Sequence, residues 1–318
     1  MALEIEWYDI VCFGIVCVAF VGALWVLWMN EGASNRVFES MYESLLVTQP
    51  DNEVVVTVLP SGHVSTSQLW TSCWVGLNPF WLLLTRFLSF VIMVLFLAWD
   101  VVTYDATIFV YYTEWTFTLV IIYFGMGTIV SAHGCWNFCS KATIDSVKQT
   151  NGSVKLESRY AKVEFQQRAG FLGYLVQTTY QTCAGAVILT DVVFWVVIVP
   201  FLSISHLRLN MLMGCMHALN VVFLFLDTAL NNLPFPWFRF SYFVIWSCGY
   251  IIFQWAIHAC GFPWWPYPFL ELNNKWAPLW YFCLAVIHIP CYGVYFLIVK
   301  AKNTLLSRLF PHAFFRPN

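Results

Sequence analysis

Apolar residues along this chain gather into seven long runs, at 10–29, 79–99, 107–130, 183–203, 207–228, 240–260 and 278–299. A helix needs about 20 such residues to cross a hydrocarbon layer about 30 Å thick. The pattern therefore predicts an all-α, polytopic transmembrane helix bundle of about seven spans, with residues 1–318 as a single transmembrane domain. The fourth run has a second reading. Gly170–Thr182 is mildly apolar around Gln177 and Gln181, so one long tilted helix is the alternative to a span starting at 183. The first run does not read as a signal peptide. Its leading segment carries Glu4, Glu6 and Asp9 without a basic residue, and the apolar stretch is too long. Two long loops, 30–78 and 131–169, separate the first run from the second and the third from the fourth. Within 30–78 the stretch from Glu53 to Val58 alternates weakly, as a short strand or an interfacial segment would.

Seven spans put the two chain ends on opposite sides of the membrane. Of the 15 Lys and Arg residues, all but Arg208 and Lys275 fall on the side that holds both long loops and the C-terminus. Basic loops stay cytoplasmic, so the N-terminus is expected outside and the C-terminus in the cytoplasm. Trp7, Trp99, Tyr104, Trp237, Trp264 and Trp265 lie at span edges, as interfacial belts do. The basic 131–169 loop suits contact with anionic lipid. Its Asn151-Gly-Ser153 sequon is expected to stay unmodified on that side, and Cys135 and Cys139 are juxtamembrane candidates for palmitoylation.

Composition agrees with the pattern. Hydrophobic residues make up 60% of the chain and charged ones 10%, against roughly 25% charged in soluble domains. That excludes a disordered chain and argues against a soluble globular one. The net charge of −2 gives no reason to expect a nucleic-acid partner, which leaves membrane lipids as the expected partners. The plasma membrane and the endoplasmic reticulum suit the chain equally. The 11 Cys are scattered through the apolar runs, as small buried residues rather than a disulfide framework or a zinc ribbon.

Polar residues at membrane depth are costly and usually face the bundle interior. Arg86, Ser89, Met93 and Asp100 share one face of the second span. His217, Asn220, Asp227 and Asn231 share one face of the fifth, Gln177, Gln181 and Asp191 one of the fourth, and Ser247, Gln254 and His258 one of the sixth. The simplest arrangement aims all four stripes at a common interior. Ser89 and His217 fall near mid-depth in their spans. Arg86 lies about 4–5 Å from Ser89 along the helix, and Asp191 falls at a similar depth, which suggests an Arg86–Asp191 ion pair. Structural glue between helices is the plainer reading of these groups. The chemical reading is a hydroxyl nucleophile with a general base: Ser89 attacks, His217 takes the proton, Asp191 or Asn220 orients the imidazole, and Arg86 or a backbone N–H steadies an oxyanion. Asp227 supports the same cavity. This chemistry needs neither cofactor nor metal.

Several stretches resemble the androgen-induced, FAR-17a-like membrane proteins and the related rolling stone-like proteins, in the manner of a plant-type member. They are Arg86-Phe87-Leu88-Ser89-Phe90, Tyr112-Thr113-Glu114-Trp115, Phe194-Trp195, Met216-His217, Gly249-Tyr250-Ile251 with Trp255 and His258, and Trp265-Pro266-Tyr267-Pro268-Phe269-Leu270-Glu271. The last is the most specific. Some members of the androgen-induced branch are intramembrane hydrolases that cleave fatty acid esters of hydroxy fatty acids with a Thr and a His. The resemblance implies Ser89 in the nucleophile position and His217 in the His position. The chain departs from the family in having Ser for Thr, an extra first span and the 131–169 loop.

Three functional readings follow. One is an intramembrane lipid-ester hydrolase built on Ser89 and His217. The second is a non-catalytic scaffold, receptor-like or transport-related protein. The third, a metal-dependent hydrolase using His217, His258 and His288 with Asp191, is disfavoured by the spread of those histidines in depth.

Overall fold

The computed structural model describes residues 6–47, 64–150, 169–201 and 211–315, with side chains described for 6–31, 64–140, 169–200 and 211–315. Among the described residues the architecture is all helical, and seven helices are long and apolar enough to cross a membrane. They are α1 (Trp7–Val47), α2 (Phe80–Tyr104), α3 (Tyr112–Thr150), α4 (Phe171–Val192), α5 (Met211–Leu230), α6 (Phe240–Ala259) and α7 (Ala277–Leu309). The chain is thus a multi-pass membrane protein by length and composition of its helices.

Helix lengths correct the sequence reading in one direction. The fourth helix starts at Phe171, as the long-helix alternative has it and twelve residues before the span read from 183. Gln177 and Gln181 explain the gap. They lower the local hydropathy, yet both amides donate to the Pro234 carbonyl, at 3.2 and 2.8 Å, inside the protein. Helices α1, α3 and α7 run on past their apolar parts, to Val47, Thr150 and Leu309, so stretches assigned to loops 30–78 and 131–169 are partly helical. The alternating stretch at Glu53 to Val58 and the sequon at Asn151 lie outside the described residues. At its far end α4 widens into a π-helical turn over Val193–Ile198 before closing with Val199–Phe201.

Contacts set the directions. Tyr180, early in α4, meets Thr228, late in α5, at 2.8 Å, while Asp191, late in α4, meets His217, early in α5. α5 is therefore antiparallel to α4, and Arg86–Asp227 makes it antiparallel to α2. The core of α2–α7 is aromatic: Tyr123, Tyr180, Phe235, Tyr292 and Tyr295 pack ring on ring. α1 lies at the periphery, against α6 and α7.

Close packing depends on glycine at two helix faces. A Cβ on Gly134 of α3 would fall 2.1 Å from Cγ of Trp70, and one on Gly185 of α4 would fall 2.4 Å from Cδ1 of Phe243. None of the 11 cysteines is joined in a disulfide.

Candidate functional site

The stripes read from the sequence do face inward, but they sort into separate clusters. The first is a charge node. Arg86 is fully buried and its Nε donates to Oδ1 of Asp227 at 2.8 Å. Its Nη1 donates to the Leu69 carbonyl and to Ser131 Oγ, each at 2.8 Å. Asp227 also accepts from the Tyr123 hydroxyl and, at 2.8 Å, from the Asn231 amide. Gly127 leaves room for the guanidinium: a Cβ there would sit 3.2 Å from Arg86 Cδ. Nearby, Lys302 Nζ caps the end of α5 by donating to the carbonyls of Thr228 and Asn231 at 2.8 and 3.0 Å. A buried carboxylate with three donors is held in place, and neither Arg86 nor Asp227 lines a cavity described below.

The expected Arg86–Asp191 pair is therefore not formed. The cause is the earlier start of α4. From 183, Asp191 would sit shallow, level with Arg86; from Phe171 it sits near the opposite end. There it meets His217 instead. Nδ1 of His217 lies 3.2 Å from Asp191 Oδ1, and the imidazole stacks flat on Phe194 with centroids 3.7 Å apart and planes 11° apart. Phe194 belongs to the π turn, a backbone irregularity found often at functional sites. An ionised Asp191 fixes the ring proton on Nδ1 and leaves Nε2 with a free lone pair. Of the two residues expected beside the imidazole, Asp191 is the one in contact with it.

Asn220, one turn along α5 from His217, is fully buried, and neither its amide nitrogen nor its oxygen has a protein partner. Ser89 is buried and makes no hydrogen bond with His217. Arg86–Asp227 sets the register between their helices, with Ser89 three residues beyond Arg86 and His217 ten before Asp227. That leaves Ser89 and His217 seven residues apart along the helix axes, about two helical turns or about 10 Å in depth. The equal depth expected from span midpoints is corrected by this register.

Two cavities lie in the bundle, the smaller at the Asp191–His217 end and the larger running from Trp237 and Phe238, just before α6, to Ile251. The larger, of about 370 Å³, is walled by α1, α6 and α7. Small residues Ala19, Gly22 and Ala23 on α1 and Ala285 on α7 keep it open. Gly22, Val26 and Ile289 on its rim are exposed on the outer face of the bundle, so it opens sideways. The smaller, of about 70 Å³, lies deeper, between the π turn of α4, α6, α7 and the segment before α7. Tyr267, Phe269 and Leu270, from the string Trp265–Glu271, wall it on that side. Burial among aromatics pushes the Tyr267 hydroxyl well above its usual range. Ser247 and His288 line both cavities, and Phe194 joins the inner one to the His217 stack.

His288 carried no weight in the sequence reading beyond the metal alternative. Its signal was present: Tyr281, His288, Tyr292, Tyr295 and Val299 form the buried face of α7 at helical spacing. His258 is held elsewhere, between the carbonyls of Gln254 and Trp264 and flat against Trp265. Among the described residues no three His, Cys, Asp or Glu side chains gather as a metal site. No protein-family model, no curated protein and no solved structure matches this chain.

Proposed function

We propose that this multi-pass membrane protein takes a lipid-derived amphiphile into its bundle, with its N-terminus outside and its C-terminus in the cytoplasm. The observation that carries the reading is the side-opening cavity of about 370 Å³ between α1, α6 and α7. Ligand sites are concave, mostly apolar, and begin at about this volume. No Asp, Glu, Lys or Arg lines it, and its mouth lies on the apolar belt where acyl chains would stand. Such a protein is receptor-like or transport-related, the non-catalytic reading of the sequence.

The lipid-ester hydrolase reading keeps one specific support, the Asp191–His217 pair. An imidazole oriented by a carboxylate is the base half of a nucleophilic site, and the resemblance to the androgen-induced and rolling stone-like families points to the same histidine. The hydroxyl half is what the register of Ser89 does not supply in this arrangement.

One reconstitution separates the two. Full-length protein in proteoliposomes is exposed to a photo-reactive, clickable fatty amphiphile, and the labelled peptides are mapped. Labelling of α1, α6 and α7 that excess unlabelled amphiphile removes is the expected result. Labelling spread evenly over every lipid-facing helix overturns the binding reading. The same vesicles, supplied with a fatty acid ester of a hydroxy fatty acid, release no free acid on the binding reading. Release that disappears in both Ser89→Ala and His217→Ala replaces it with the hydrolase.

A further inference from the structure

The polar groups of the cavity specify its occupant more narrowly. His288 is 7% exposed, and its Nδ1 lies 2.6 Å from the Leu284 carbonyl of its own helix. A carbonyl only accepts, so Nδ1 carries the proton and Nε2 presents a lone pair. That Nε2 has no protein partner. It is the far ring nitrogen, turned away from the α7 backbone, on a side chain that lines both cavities. The ring is held by Phe243, with centroids 4.6 Å apart.

Ser247, also 7% exposed, lines both cavities with it. Its Oγ lies 2.8 Å from the Tyr112 hydroxyl. When Tyr112 donates to Ser247, the Ser247 hydroxyl keeps its own proton to give onward. The two cavities thus share a polar foot that offers one acceptor, the His288 Nε2, and one hydroxyl donor. Most of the rest of the larger cavity's wall is apolar, Ala19, Ala23, Val244 and Ile251 among it, with Ser241 and Tyr281 as further hydroxyls.

Charge decides between ligand classes. No basic side chain lines either cavity, so an ionised carboxylate would bring an acceptor to an acceptor and lose its hydration without a counter-charge. No acidic side chain lines them either, so an ammonium fares no better. A hydroxyl both donates and accepts. Building on the amphiphile reading, we infer that the cavity's occupant is an uncharged lipid alcohol, its hydroxyl donating to Nε2 of His288 and accepting from the Ser247–Tyr112 pair while its chain fills the space under α1.

The test uses the full-length protein in nanodiscs with two probes matched in chain, diazirine and alkyne, one a long-chain alcohol and the other the carboxylic acid, at neutral pH. The alcohol is expected to label residues of α1, α6 and α7 and to be competed by unlabelled alcohol. The acid is expected to bind about tenfold more weakly, the order of effect of one mispaired buried polar group. His288→Phe, which replaces the imidazole by a ring of similar shape, removes the preference for alcohol. Gly22→Leu, placed where a Cβ meets nothing within 4 Å, blocks both probes by filling the space. Equal labelling by alcohol and acid, or a preference untouched by His288→Phe, overturns the alcohol assignment and leaves amphiphile binding standing. Absence of labelling by either probe overturns both. Should His288→Phe fail to fold, the alcohol-to-acid ratio on the unaltered protein decides alone.

Discussion

Arg86 is the centre of the buried charge node. Its guanidinium has no exposure: Asp227, Leu69 and Ser131 accept from its Nε and Nη1, and its Nη2 has no protein partner. Removing one member of such a pair leaves a buried charge uncompensated, at a cost of about 3–5 kcal/mol, whereas replacing both by apolar residues is often neutral or better. Arg86→Met or Asp227→Leu alone is therefore expected to lower the melting temperature and the folded yield sharply, and the double variant to recover most of the loss. A thermal-shift series on the purified variants checks this; a double variant as unstable as the singles would mean that Tyr123 and Asn231 need the carboxylate for themselves. The sequence made the faces of these residues legible but not their partners. Helical spacing put Arg86, Asp191 and Asp227 all inward. Choosing between the two aspartates required knowing where α4 begins, and two glutamines satisfied by a loop carbonyl hid that start.

At the scale of elements, spacing and hydropathy found every spanning helix, because a run of some 20 apolar residues has few other uses. They missed the polar extensions of α1, α3 and α7, where backbone bonding continues after the apolar signal stops. They also missed the sites where helices meet segments most closely, since a glycine in a span looks alike whether it faces lipid or a ring. Gly134 faces Trp70 and Gly14 faces nothing within 4 Å. Gly134→Val is expected to destabilise by about 1–3 kcal/mol, as overpacking does, and Gly14→Ala to stabilise slightly, by up to about 1 kcal/mol, through helix propensity alone. Denaturation of the two variants side by side measures the contrast. Equal effects would place the Trp70 segment elsewhere than on α3.

Across the whole molecule, charge and space are unevenly shared. Arg86, Arg239 and Lys302 are all engaged near one end, with Asp227, with Glu31 and with the closing carbonyls of α5. The smaller cavity and the Asp191–His217 pair occupy the other, and the larger cavity runs from Trp237 and Phe238 beside Arg239 toward Ile251. If the basic end faces the cytoplasm, as the distribution of Lys and Arg requires, an epitope at the N-terminus is reached by antibody on intact cells and one at the C-terminus only after permeabilisation. The reverse staining would invert the orientation. Composition could announce the membrane, because that depends on totals. It could not announce a hollow, which depends on which small residues of α1 stand opposite Ala285.

The wide turn at Val193–Ile198 has the length of a helix that has absorbed one residue beyond ordinary winding. Deleting a residue there would return the segment to regular winding while both flanks keep their seats in the bundle. Phe194, however, would swing off the imidazole of His217 that it now covers. The corner around His217 can thus be rearranged by a single-codon loss, with the scaffold around it left as it stands.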